Sequence, residues 1–315
     1  MDKIIERIER EAGVPGLAGL LAERLEPTDL QSLLLEVHRQ RVRRRRPSAL
    51  LADYEHNRFV RPASVSPRRL LAWEGVALAQ LPEEFEAIAL SPVCPLGTCA
   101  AVAPVDPSWS VATVRNTEVV SDTTNVLALE CALRRRELLR AHPRSAQPVH
   151  LASGQRVLRA QRYGNPALLS HFHLLALCSA GRDRGGRQFE LSALVLHARF
   201  YLRALQAFLG ADIPLRVSVT DFSSVLPAPA LEAQLLTPAV RDLPNVTGAL
   251  DPARTSGRGY YAGLCFHIHA VAASGPLELV DGGVVDWTQK LLGDAKERLV
   301  ISGIGSERVC SEFGT

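Results

Sequence analysis

The stretch Leu299-Val300-Ile301-Ser302-Gly303-Ile304-Gly305-Ser306-Glu307-Arg308 decides how the rest of the chain is read. Its apolar, partly β-branched opening makes a strand. Two glycines stand where that strand gives way to a final helix, and Glu307 and Arg308 stand at the helix start. The chain closes at Thr315.

Upstream, the spacing of apolar residues predicts helices and strands in alternation. Leu70, Leu71, Trp73, Val76, Ala77 and Leu81 recur at helical spacing over 66–81, with Pro67 near the start. Residues 85–90 alternate like a strand and are stopped by Pro92 and Pro95; 111–120 reads as another strand. Residues 125–139 read as a helix with Leu127, Cys131 and Leu138 inward and Arg134, Arg135 and Arg136 outward. Residues 155–161 and 172–178 read as a hairpin with a long tip, and 189–208 as the longest helix. Strands follow at 216–222, 260–271 and 277–280, then a turn at Asp281-Gly282-Gly283 and a helix over about 284–293. Hairpins of this kind predict an α/β (α+β) domain whose sheet is mainly antiparallel and flanked by helices. No Gly-x-Gly-x-x-Gly or Walker loop supports a dinucleotide or P-loop reading.

Residues 1–60 read as a helical N-terminal appendage and 61–315 as the core. Ile4, Ile5 and Ile8 share a face, a break follows at Gly13–Gly16, and a further helix runs over 30–45 behind Thr28 or Asp29 as cap. That helix ends in Arg41-Val42-Arg43-Arg44-Arg45-Arg46. The run reads as a solvated helix end or as a phosphate or RNA contact. With 315 residues, 47% hydrophobic and 22% charged, the chain can bury a sizeable core, and its formal charge of +3 does not argue for nucleic acid. The six cysteines include no Cys-x-x-Cys pair, so neither a zinc nor a disulfide framework is expected. No run of 18 apolar residues occurs, and a cytoplasmic protein without membrane association is the expectation.

Taken in order, these segments resemble the catalytic core of class II aminoacyl-tRNA synthetases, histidyl-tRNA synthetase and its paralogues most of all. The strand running into Gly303-Ile304-Gly305-Ser306-Glu307-Arg308 is similar to the third signature motif, whose arginine lies over the ATP phosphates. Residues 85–92 look like the strand of the first motif, which builds a dimer interface, so a homodimer is implied. Val120-Ser121-Asp122-Thr123-Thr124 resembles the family's Pro-Glu-x-Thr segment. Asp122 and Thr124 thereby inherit the grip on the amino group of an amino acid, although a plain helix cap is the alternative role for Asp122. Leu158-Arg159-Ala160-Gln161 resembles the second motif, with Arg159 on the α-phosphate and the carboxylate, and Phe172 would stack on adenine. Tyr260 and Tyr261 are similar to the tyrosine pair of the amino-acid pocket, and residues 281–286 to Gly-Gly-Arg-Tyr-Asp.

The resemblance implies ATP and Mg2+, with Arg159, Arg308 and Arg258 as catalytic residues. ATP would be held by Arg159, Phe172, Glu307 and Arg308, and the amino acid by Asp122, Thr124, Tyr260 and Tyr261. Glu307 and Asp286 are candidate magnesium acids, and Arg254 competes with Arg258 for the α-phosphate. The departures are equally specific. Gln161 replaces a glutamate, Val284 and Val285 replace an arginine and a tyrosine, and residues 209–259 are too few for the family's insertion domain. No anticodon-binding domain is expected, which makes tRNA an unlikely partner. The resulting expectation is a stand-alone synthetase-like protein that activates an amino acid or similar carboxylate as an adenylate. Its acceptor would be a small amine, a peptide or a carrier protein. The alternative is a non-catalytic regulatory subunit, like that of ATP phosphoribosyltransferase. His171/His173 and His267/His269 form two His-x-His pairs that would converge on a metal if their strands were neighbours; the expectation is that they hold none.

Overall fold

The computed structural model describes residues 2–161, 170–272 and 275–313. Eleven strands are present among them: β1 (Phe85–Ala87), β2 (Val93–Pro95), β3 (Val111–Ala112), β4 (Thr117–Val119), β5 (Val149–Leu158), β6 (His171–Arg182), β7 (Leu215–Asp221), β8 (Val246–Leu250), β9 (Leu264–Ala272), β10 (Gly275–Val285) and β11 (Glu297–Gly305). Eight build one sheet in the order β1-β5-β6-β11-β10-β9-β7-β8. Only the outer pairs β1/β5 and β7/β8 are parallel. The remaining pairs are antiparallel, as the hairpin pattern predicts.

The sheet is covered on both faces, and alternation sorts its side chains between them. On β6, Leu175 and Leu177 join a core formed with helices Pro67–Ala79 and Gln188–Leu209. Ala176, Cys178 and Ala180 join a second core under helix Thr123–Ala141 and Trp287. The final helix, Ser306–Glu312, packs Val309 and Cys310 into the first core. The N-terminal helices Asp2–Ala12, Pro27–Val42 and Pro47–His56 bury no residue completely. Pro27 stands at the first turn of its helix behind Glu26 as cap, in place of the Thr28 or Asp29 cap read from the sequence.

Two local expectations are corrected. Asp281-Gly282-Gly283 is not a turn but the middle of β10. The glycines are there because neighbours come close: a Cβ on Gly282 would lie 2.5 Å from Ser302 Cβ, and one on Gly283 would lie 2.6 Å from Tyr261 Cδ1. The following helix is accordingly short, Trp287–Leu292. Arg135, expected outward, is fully buried. Its Nε and Nη2 donate to the two Glu297 carboxylate oxygens at 2.8 Å each, and its remaining donors reach the Gln147 and Ser145 carbonyls. A bidentate, fully hydrogen-bonded pair is the form in which a buried charge survives, and it ties helix Thr123–Ala141 to β11. The strands of the two His-x-His pairs, β6 and β9, are separated by β11 and β10, so the condition for four imidazoles to converge, neighbouring strands, is not met.

His197, in the longest helix, bridges two strands through Ser179 Oγ (2.8 Å) and Ser302 Oγ (2.7 Å). Burial pushes its pKa down from 6.5 to about 3. Below pH 6.5 the unfolded imidazole takes up a proton that the buried one refuses, so stability present above that pH is lost as the pH falls toward 3. Denaturant melts from pH 6.5 to 4.5 are expected to show a loss approaching about 1.4 kcal/mol per pH unit from this group. In His197→Gln that slope should shrink, and a residue should remain from His173, which burial pushes down to about 4. An unchanged slope would assign the acid sensitivity elsewhere.

Candidate functional site

A cavity of about 400 Å³ opens on the sheet face beneath helix Thr123–Ala141. Asp122, Thr124, Arg159, Gln161, Tyr260, Tyr261 and Asp281 supply most of its polar lining. Asp122 caps the helix: its Oδ1 accepts from the Thr124 N–H at 2.9 Å and from the Thr124 hydroxyl at 2.7 Å. Its second oxygen, Oδ2, accepts from Arg159 Nη2 at 2.9 Å. The cap and the cavity-facing charge therefore coexist in one side chain. Arg159 stands just past the end of β5; its Nε donates to the Ser121 carbonyl at 2.9 Å, and its guanidinium lies 5.0 Å from the centroid of the Phe172 ring.

Tyr260 and Tyr261 meet edge to face at 5.1 Å, and Tyr260 packs on Trp287 at 5.7 Å. Burial and then the Asp122 carboxylate push the Tyr260 phenol up, and its hydroxyl hydrogen-bonds with the side chain of Thr124. Burial and then Asp281 push up the Tyr261 phenol, which hydrogen-bonds to Asp281. Both phenols stay protonated and serve as donors. Burial disfavours the Asp281 charge, but the His267 hydrogen bond and the Arg254 guanidinium outweigh it and hold its pKa below the ordinary carboxylate range.

The remaining residues proposed from the sequence lie elsewhere. Arg258 is exposed and its guanidinium sits 4.9 Å from the Phe222 ring centroid. Arg254 is the buried one, donating to Asp281 at 2.9 Å and to the Ser256 carbonyl at 2.9 Å. Arg308 is exposed and donates to the Glu278 carbonyl at 3.0 Å. Glu307 pairs with Arg156 at 2.5 Å, and Asp286 with Lys290 at 2.9 Å. Neither acid offered for magnesium lines the cavity. The acids that do, Asp122 and Asp281, are each paired with an arginine, so the described residues hold no ready carboxylate pair for a resident Mg2+.

Two contributors escaped sequence reasoning. Glu118 accepts from the Gly97 and Cys99 amides at 3.0 and 2.8 Å, fixing the short helix Thr98–Val102, after which Pro104 and Val105 line the cavity. Arg58 donates to the Gln161 carbonyl at 3.0 Å and to Ala160 and Ser170, binding the N-terminal segment to both ends of the hairpin tip. That tip, 162–169, lies outside the described residues.

The fold of the chain is similar to solved structures of class II synthetase-like proteins. An ATP phosphoribosyltransferase regulatory subunit/histidyl-tRNA synthetase from Bacillus halodurans aligns with TM-score 0.59 and 13% identity over 81% of this chain and 82% of its own. Histidyl-tRNA synthetase from S. aureus aligns with TM-score 0.56 and 14% identity over 78% and 66%. A histidine–tRNA ligase subunit from Alicyclobacillus acidocaldarius aligns with TM-score 0.54 and 16% identity over 80% and 96%. No protein-family model matches the chain, and no curated protein sequence does. The fold is class II synthetase-like.

Asp122→Asn separates the two duties of that side chain. Asparagine keeps the cap oxygen for Thr124 but loses the charge. The partly exposed pair with Arg159 adds little to stability, so the melting temperature should move by no more than that of a roughly 1 kcal/mol change. An ammonium ligand, by contrast, should lose a few kcal/mol of binding. Amino-acid affinity that survives the substitution would remove Asp122 from the ligand site.

Proposed function

We propose that the cavity binds an amino acid or a similar small carboxylate and that the protein activates it with ATP as an adenylate. The observation that carries this is the Asp122–Arg159 pair at 2.9 Å inside the cavity. A carboxylate and a guanidinium that hold each other are complementary to a zwitterion, which satisfies both at once: Asp122, Thr124 and Tyr260 would take the ammonium, Arg159 the carboxylate. In the reaction a carboxylate oxygen attacks the α-phosphorus of ATP as the bond to pyrophosphate breaks. The protein's part is alignment and cationic hydrogen bonding to the developing charge. Arg159 suits both, since guanidinium binds carboxylate and phosphate oxygens in the same forked geometry. The adenylate's acceptor would be a small amine, a peptide or a carrier protein, and the protein would act as a cytoplasmic homodimer.

A second reading is favoured by specific contacts. Arg308 and Glu307 are engaged with Glu278 and Arg156 outside the cavity, and Gln161 cannot supply a charge. These suit a subunit that senses an amino acid without activating it. A screen of amino acids by ATP–pyrophosphate exchange, with calorimetric binding alongside, separates the two. Exchange with one or a few amino acids, lost in Arg159→Ala, is the expected result. Binding without exchange would establish the sensor, and neither binding nor exchange would overturn the amino-acid reading.

A further inference from the structure

We propose that His267, His269 and Glu278 form a site for a first-row divalent transition metal, zinc foremost, against the wall of the cavity. Their ligand atoms, one per residue, all lie within 4.8 Å of one another. His267 Nδ1 and Glu278 Oε2 are 3.5 Å apart, close to the donor separation of roughly 3.4 Å that a tetrahedral ion with bonds of about 2.1 Å requires. Glu278 is half-exposed, which leaves its carboxylate room to adjust around an ion.

The backbone is shaped for this. On β9, His267 and His269 alternate onto the same face as the cavity. Glu278 and Asp281 on β10 are three apart and in a regular strand would face opposite sides. A bulge between Glu278 and Val280 absorbs the odd residue, so that Glu278 stands opposite His269 and Asp281 opposite His267. The bulge thus gathers two imidazoles and two carboxylates on one patch of sheet.

Two further observations point to an ion. His269 Nδ1 is buried without a hydrogen-bond partner among the described residues, a polar atom that a ligand would satisfy. His267 turns Nδ1 toward Glu278 and Nε2 toward Asp281 Oδ1 at 3.3 Å, and Asp281 is held in turn by Arg254 at 2.9 Å. That is the carboxylate–histidine–metal order in which an outer acid fixes the ring and its tautomer. Arg308 takes the Glu278 carbonyl rather than its carboxylate. Two imidazoles and one carboxylate suit zinc or its neighbours rather than magnesium, and three protein ligands leave a coordination position for water or a substrate atom. Because Asp281 also lines the cavity, its wall would be the outer shell of the metal.

The test uses full-length protein stripped with chelator, titrated with Zn2+ alone, and with Co2+ as a spectroscopic probe. It needs neither amino acid nor ATP, so its outcome is independent of the proposed function. One equivalent of Zn2+ and the visible absorption of nitrogen-ligated Co2+ are expected. His269→Ala and Glu278→Gln should each weaken Zn2+ at least tenfold, and Asp281→Asn by 10- to 100-fold. His173→Ala, on a different strand, should leave it unchanged. Circular dichroism establishes that each variant is folded, and if one is not, the parent titration and cobalt spectrum still decide. No uptake by the parent at micromolar Zn2+, or uptake indifferent to both His269→Ala and Glu278→Gln, would overturn the site.

Discussion

The polar groups of the cavity are organised around one partly exposed ion pair, Asp122 with Arg159. That pairing shapes the site around it. The aspartate cannot drift, because its other oxygen caps helix Thr123–Ala141 through Thr124. The arginine cannot drift, because Ser121 and the face of Phe172 hold it. The two groups are thus kept facing each other, and under the proposed function a ligand carrying both opposite charges would part them without leaving either unsatisfied. A ligand with only one charge would strand the other partner, which is a physical basis for selecting zwitterions.

The helix that Asp122 caps is fixed in depth by a second pair, this one fully buried. Arg135, three turns further along, reaches both oxygens of Glu297 at the start of β11. The same strand carries Ile301, Ser302 and Gly303 in the cavity lining. Removing one partner of such a pair costs about 3–5 kcal/mol, so the geometry of the site is held by an interaction remote from it. On the opposite wall, Gly283 lets Tyr261 lie against β10, and Tyr261 then reaches Asp281. The Asp281 carboxylate joins Arg254, His267 and Tyr261 into one polar network.

What was legible in the sequence was what local chemistry encodes. The strand into Gly303-Ile304-Gly305, the β5–β6 hairpin and the longest helix could be read from periodicity, and Asp122, Arg159 and Tyr260 are singled out by the resemblance of their segments to class II synthetase motifs. The structure brings Asp122, Thr124, Arg159, Tyr260 and Tyr261 to one cavity. What was not legible was tertiary proximity. Gly282-Gly283 has the composition of a turn, and only the closeness of Phe266, Ser302 and Tyr261 makes it strand. Arg135 has the spacing of a solvated face, and only Glu297, distant in sequence, draws it inward. Arg254 and Arg258 could not be ranked from spacing, because the irregular segment between them turns one under β10 and the other onto Phe222. The bulge that sets Glu278 beside His269 has no signature in β10 at all.

The central claim is that the Asp122–Arg159 pair is a clamp waiting for a zwitterion. The most direct measurement is a crystal structure of the protein grown with the amino acid that binds it best. The account predicts the ammonium within hydrogen-bond distance of Asp122 and Thr124, with the Arg159 guanidinium turned from Asp122 to the ligand carboxylate. An amino acid bound elsewhere, with the pair intact across a water-filled cavity, would contradict it.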